Sequence, residues 1–217
     1  MKKSILKSML LALLFGVAVP CVNAQTSQVA HIGDILCVGN QVVSPANFNA
    51  STHTPIGVVF YVDNVGKHGW AIDLQDMGSY KWQNEWNDTP LTNYTNQRLA
   101  IYDLDGYRNT EIIYAQYNDS TFSARFPAFD AVDFENGWYL PTLGQLNYLY
   151  GNLIEVNAGI YAAGGTPFET GINWVYWSST EYSSQYTWAL YSNGGFNNDG
   201  NGNSRRVRAA RNFSLDQ

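Results

Sequence analysis

Hydrophobic and polar positions alternate most clearly over two stretches, Gly57–Asp63 and Gly69–Leu74, both rich in β-branched and aromatic residues. Asn64–His68 lies between them as a turn-rich link, so the pattern predicts a β-hairpin. The period changes at Thr142. Gln145, three positions on, completes a capping box, in which each side chain satisfies the other residue's backbone donor. Leu143, Leu146, Leu149, Tyr150 and Leu153 then fall on one helical face, and Gly164, Gly165 and Pro167 punctuate the exit. A shorter helix is predicted over Asn109–Tyr117, with Asn109 or Thr110 as its cap. Val175–Ser178, Thr187–Tyr191 and Arg206–Phe213 read as short strands. Between the last two, Ser192–Arg205 is almost wholly Asn, Gly, Ser and Asp around Phe196. That composition cannot fill a core and predicts a solvent-facing loop. Residues 78–100, with Trp82, Trp86 and Tyr94, read as a long aromatic loop. No internal repeat and no second domain of comparable size is visible.

The chain opens differently. Lys2, Lys3 and Lys7 precede an apolar run, Met9–Val19, that is too short to anchor in a bilayer. Val22-Asn23-Ala24 fits a signal-peptidase site, with cleavage expected before Gln25. Lipid attachment at Cys21 is the rival reading. Residues 1–24 are thus read as a signal peptide, 25–55 as an N-terminal extension with one apolar piece, Ile35–Val38, and 56–217 as the main domain. No later apolar stretch reaches the roughly 20 residues of a membrane helix. The protein is expected to be exported, to the medium, the cell surface or the periplasm.

Composition sharpens this. Past the leader, Cys37 is the single cysteine, so no internal disulfide framework exists and the core must hold itself. With 45% hydrophobic and 15% aromatic residues it can. Without the three leader lysines, nine basic residues face 18 acidic ones. Such a surface disfavours nucleic acid and anionic membranes as partners.

Several motifs occur in a fixed order: Gly137–Thr142 (GWYLPT), Tyr176–Tyr182 (YWSSTEY), Trp188-Ala189, then Arg206-Val207-Arg208 and Arg211-Asn212-Phe213. The set, spanning residues 57–213, resembles the bacterial C-type-lectin-like family that includes the collagen-like adhesin C-terminal domain and the Fibrobacter major paralogous domains. The resemblance implies an α+β, C-type-lectin-like fold: short antiparallel strands, about two helices and a loop-rich ligand lobe. It also implies that Val58–Val62 pairs near Arg206–Arg211. Some members of the family are variable proteins of diversity-generating retroelements, and residues 182–205 have the Asn-, Tyr-, Ser- and Gly-rich composition which that process leaves.

The proposed contact residues are Tyr182, Ser184, Gln185, Tyr186, Tyr191, Asn193, Phe196, Asn197, Asn198, Asp199, Asn201, Asn203 and Arg205. Aromatic faces stack on sugars and peptides, while Tyr and Asn supply adaptable hydrogen bonds. Alternation puts Trp188 and Leu190 on one face of their strand and Ala189 and Tyr191 on the other, which favours Tyr191 as exposed. Trp70, Trp138, Trp174, Trp177 and Trp188 are read as core. Arg206, Arg208 and Arg211 are read as braces paired with acids such as Glu181 or Asp133; a patch for an anionic polysaccharide is the other reading. Glu85–Asp88 contains the WND triplet of calcium-dependent lectins, but far upstream of its usual place. Asp103–Gly106 reads as a turn, since the carboxylate that would close an EF-hand loop is missing.

GWYLPT is also similar to a segment of formylglycine-generating enzymes. Their chemistry rests on paired C-terminal cysteines holding copper, which this chain lacks. His31, His53 and His68 match no metal spacing or triad. The expectation is a non-enzymatic binding protein with no cofactor and no metal. Its partner would be a protein or glycan on another cell, phage or host surface. The alternative is a structural subunit or tip of an extracellular assembly, joined through residues 25–55.

Overall fold

The computed structural model describes residues 28–117, 119–169 and 173–216. The signal peptide and Cys21 lie outside the described residues. The chain runs through β1 (Ile35–Cys37), β2 (Gln41–Val43), β3 (Pro55–Val62), β4 (His68–Asp73) and β5 (Gly78–Lys81). Helices α1 (Gln97–Ala100), α2 (Gly106–Tyr117), α3 (Phe122–Arg125) and α4 (Pro127–Asp130) follow. β6 (Trp138–Tyr139) leads into α5 (Leu143–Gly151) and α6 (Leu153–Ala162). β7 (Val175–Ser183), β8 (Tyr186–Tyr191), β9 (Phe196–Gly200), β10 (Ser204–Val207) and β11 (Ala210–Ser214) close the chain. The architecture is α+β. A six-stranded sheet is ordered β2-β1-β3-β4-β11-β6, and a five-stranded sheet β5-β10-β7-β8-β9.

The β3–β4 hairpin forms as its alternation predicts. So does the capped helix: Thr142 Oγ1 accepts from the Gln145 amide at 3.2 Å, and Gln145 Oε1 accepts from the Thr142 amide at 3.0 Å. The helix breaks at Asn152, whose side-chain amide donates to the Phe60 and Tyr148 carbonyls and so diverts the helical ladder.

Other expectations change. Residues 28–55 are not an appended arm. Ile35–Cys37 are buried on both faces, and β1 pairs with β3 inside the sheet. A strand of three buried residues shows no alternation, which hid it. β3 does not pair with the C-terminal strand; β4 lies between them, with Trp70 opposite Asn212. Arg206–Phe213 is two strands in two sheets. The crossing is held by Arg208, a buried guanidinium that donates to the Asp73, Leu74 and Thr166 carbonyls and lies over the Phe168 ring. Helix α2 starts earlier than Asn109, because Asp105 Oδ1 accepts from the Arg108 amide at 2.9 Å and caps it. Six α-helices, rather than about two, occur among the described residues; three of them are single four-residue turns.

The expected loop 192–205 contains β9 and the start of β10. Ladder hydrogen bonds use backbone groups, whatever the side chains. Trp188 and Leu190 hold β8 in place by burial, and β9 adds to its edge.

Candidate functional site

The structure divides the thirteen proposed contact residues. Tyr186 and Gln185 are exposed at the β7–β8 turn, as is Asn193 at the β8–β9 turn. Asn197 and Asn203 are also exposed, whereas Tyr182, Ser184, Asn198 and Arg205 are half-buried. Phe196 is half-buried against the core, opposite Leu190. Two residues are inside: Asp199 is 8% exposed and Asn201 1%. Neither can touch a ligand at the surface.

Asp199 organises its surroundings. Its carboxylate accepts from Arg205 Nε, Asn203 Nδ2 and the Gly200 amide, and the Tyr191 hydroxyl donates to it at 3.2 Å. Burial alone would raise its pKa; the Arg205 guanidinium and the Asn203 amide outweigh that and hold the carboxyl below its ordinary value. Asn203, Arg205 and Tyr191 are thereby committed to bracing the hairpin. Trp188 packs with Ala100 and Leu143 on one face of β8, but the other face is covered too: Ala189 and Tyr191 pack against the Trp82–Trp177 cluster, so Tyr191 is not the exposed residue that alternation suggested.

The terminal arginines also brace, but with other partners than expected. Arg206 pairs with Glu169 at 2.9 Å and lies 3.8 Å from Asp76. Arg211 lies over the Trp138 ring. Glu181 instead accepts from the Thr89 hydroxyl.

A cleft of about 930 Å³ opens beside these residues, between the six-stranded sheet and the segment from Tyr94 to Asp105. Its floor follows from the register. Tyr61 opposes Trp70 across β3–β4, and Trp70 opposes Asn212 across β4–β11. The Tyr61 and Trp70 rings stack at 4.2 Å, and Tyr148 of α5 meets them edge-on at 4.9 and 5.8 Å. The opposite wall carries Tyr94, Tyr102, Asp103, Leu104 and Asp105, with Tyr102 76% exposed.

That wall is held by polar contacts and by close backbone approach. Thr142 Oγ1 donates to the Asp103 carbonyl at 2.6 Å, and the Asp103 carboxylate accepts from Thr180 at 2.8 Å and Asn109 at 2.9 Å. Burial pushes the Asp103 carboxyl above its ordinary value, against those bonds. A Cβ on Gly144 would sit 2.4 Å from the Ile101 and Asp103 carbonyl oxygens, so only glycine lets α5 come this near. On the floor, Gln145 Nε2 donates to the Tyr139 hydroxyl, which donates to Asn212 Oδ1 at 2.7 Å. The helix cap is thus wired to a cleft residue.

The aromatics proposed from sequence do not line this cleft and reach it only indirectly, through Trp188. Tyr182 meets Tyr186 at 6.4 Å and Trp188 at 5.5 Å, and Trp188 Nε1 donates to the carbonyl of Tyr94, a cleft-wall residue. Sequence reading missed Tyr61, Trp70, Tyr102, Tyr148, Asp105 and Asn212. Alternation could have shown Tyr61 and Trp70 on one face, had the β3–β4 register been fixed. The arrangement offers stacking surfaces rimmed by carboxylate and amide groups, suited to rings bearing hydroxyl or amide groups.

No protein-family model matches the chain, and no curated protein matches it. Among solved structures it is similar to a fimbrial protein from Bacteroides ovatus ATCC 8483, with TM-score 0.58 and 20% identity, over 85% of this chain and 49% of that one. The chain therefore spans about half the length of the fimbrial protein it matches. At that identity the likeness is one of fold. No helix among the described residues is long and apolar enough to cross a membrane.

Proposed function

We propose that this chain is a subunit of a fimbria-type assembly on a bacterial surface, and that it presents its aromatic cleft to a ligand. The observation that carries this reading is the fold shared with a fimbrial protein across 85% of the chain. The basic and apolar start, read as a leader, supports export. The role is binding rather than turnover, and the ligand is a protein or glycan on another cell or host surface.

The finer reading is a C-type-lectin-like fold. It rests on the ordered motifs: GWYLPT spans β6 and the α5 cap, YWSSTEY lies in β7, and Arg208 of the terminal motif ties the crossing between the sheets. Retroelement diversification would have to spare Asp199 and Asn201, which are buried, and act on Gln185, Tyr186, Asn193 and Asn197, which are exposed.

Shearing surface filaments from cells of the native host tests the assembly. The chain should travel with the high-mass sheared fraction; recovery only as a free monomer would sink the reading. Trp70→Ala tests the cleft on a glycan and protein array. Loss of one stacked ring should weaken any captured ligand about tenfold, in line with an aromatic anchor. Unchanged capture by folded Trp70→Ala and Tyr102→Ala proteins would remove the cleft from the proposal.

A further inference from the structure

In and against the five-stranded sheet, four buried side-chain oxygens have no hydrogen-bond partner among the described residues: Gln83 Oε1, Glu181 Oε1, Thr187 Oγ1 and Asn201 Oδ1. Their residues are at most 2% exposed. Buried acceptors without donors are costly, and an isolated buried carboxylate more so.

The register sets Glu181 and Thr187 on one face, and backbone contacts bring Gln83 and Asn201 beside them. Glu181 opposes Thr187 across β7–β8, and Thr187 opposes Asp199 across β8–β9. Cβ atoms of opposed residues lie about 5 Å apart. Asn201 lies in the turn just past β9, where its backbone amide donates to the Gln185 carbonyl at the β7–β8 turn. The segment from Trp82 to Tyr94 lies across this face. Trp82 and Gln83 donate their amides to the Asn201 carbonyl, and Tyr94 donates its amide to the Glu181 carbonyl.

The amide orientations are fixed. Gln83 Nε2 and Asn201 Nδ2 both donate to the Ser184 carbonyl, at 3.1 and 3.3 Å. Reversing either side chain would set oxygen against oxygen. Both nitrogens are therefore used, and both oxygens are left over. Asp199 is excluded from the set because Arg205, Asn203 and Tyr191 occupy its carboxylate.

One carboxylate oxygen, two amide oxygens and a hydroxyl make an all-oxygen donor set. A water molecule can give only two hydrogens, whereas a calcium-sized cation takes six to eight oxygen ligands, neutral carbonyls and water among them. No group of three or more His, Cys, Asp or Glu suited to a metal occurs among the described residues. A site built mainly of neutral oxygens has no such signature. We propose that Gln83, Glu181, Thr187 and Asn201 form an internal site for a hard divalent cation of calcium type, which fastens the 82–94 segment to β7, β8 and β9. Tyr94 ends that segment and lines the cleft, so the bound ion sets the position of one cleft wall.

The test uses the full chain, stripped with chelator and then titrated with Tb³⁺ and Ca²⁺. Trp82, adjoining Gln83, should sensitise a saturable Tb³⁺ emission that Ca²⁺ displaces, and Ca²⁺ should raise the melting temperature. Glu181→Gln should weaken the ion at least tenfold, and Thr187→Val about threefold, with folding of each checked by circular dichroism. If Glu181→Gln does not fold, Thr187→Val decides. A folded wild-type protein with no saturable emission overturns the proposal. So does wild-type ion affinity in every variant that folds.

Discussion

The two sheets differ in what they bury. The six-stranded sheet hides Ile35, Leu36, Val58, Val59, Phe60, Ala71 and Ile72, an apolar interior of the ordinary kind. The five-stranded sheet hides Trp177 and Trp188, but also Ser178, Ser179, Thr180, Glu181, Thr187 and Asp199. In the first, shape follows from apolar area removed from water, at roughly 25 cal/mol per Å². In the second, each buried polar group must find a partner, so fewer sequences satisfy it. A region that buries unpaired oxygen sacrifices stability, and such sites point to function.

Arg208 offers the largest way to break this contrast, because it fastens one sheet to the other. Arg208→Ala leaves three carbonyl acceptors without their buried donor. At about 1–3 kcal/mol for each buried acceptor left without a donor, the expected cost is at least about 3 kcal/mol, read as a shift in urea midpoint. If the sheets then melt in two steps, they are separate cooperative units.

The second test concerns the five-stranded sheet alone. Burial pushes the Glu181 carboxyl up to about 7, from an ordinary 4.5. The unfolded chain releases this proton at the lower value, so between the two the folded state holds more protons. Stability therefore falls as pH rises through that window. At about 1.4 kcal/mol per pH unit, wild type in chelator should lose about 3 kcal/mol relative to Glu181→Gln between pH 4.5 and 7.5. Parallel pH profiles for the two proteins would refute it.

The smallest effect is expected beside the six-stranded sheet. Asp105→Ala removes the α2 cap and should cost about 1 kcal/mol, with the pH profile of Glu181 untouched. A thermal melt checks it.

The contrast also explains what the sequence reveals. Apolar periodicity is a local signal, so the β3–β4 hairpin, the Thr142 helix and the cores of β7 and β8 are visible in it. β9 is not, because Asn197, Asn198 and Asp199 carry no strand preference and the ladder to β8 is a tertiary fact. The cleft is equally hidden. Trp70 reads as core in its own strand, and only the register with Tyr61 and Asn212 turns it into a floor. Glu181 gives no sign of burial either, until the 82–94 segment covers it.

The sheet borders carry one more consequence. The outermost strands are short: β2 has three residues, β6 two and β5 four, and β9 is five residues of Phe, Asn, Asp and Gly. A strand that ends so soon gives a neighbouring molecule little backbone to template on. Copies crowded at high local density can therefore stand side by side without their edges zipping into continuous cross-β ribbons.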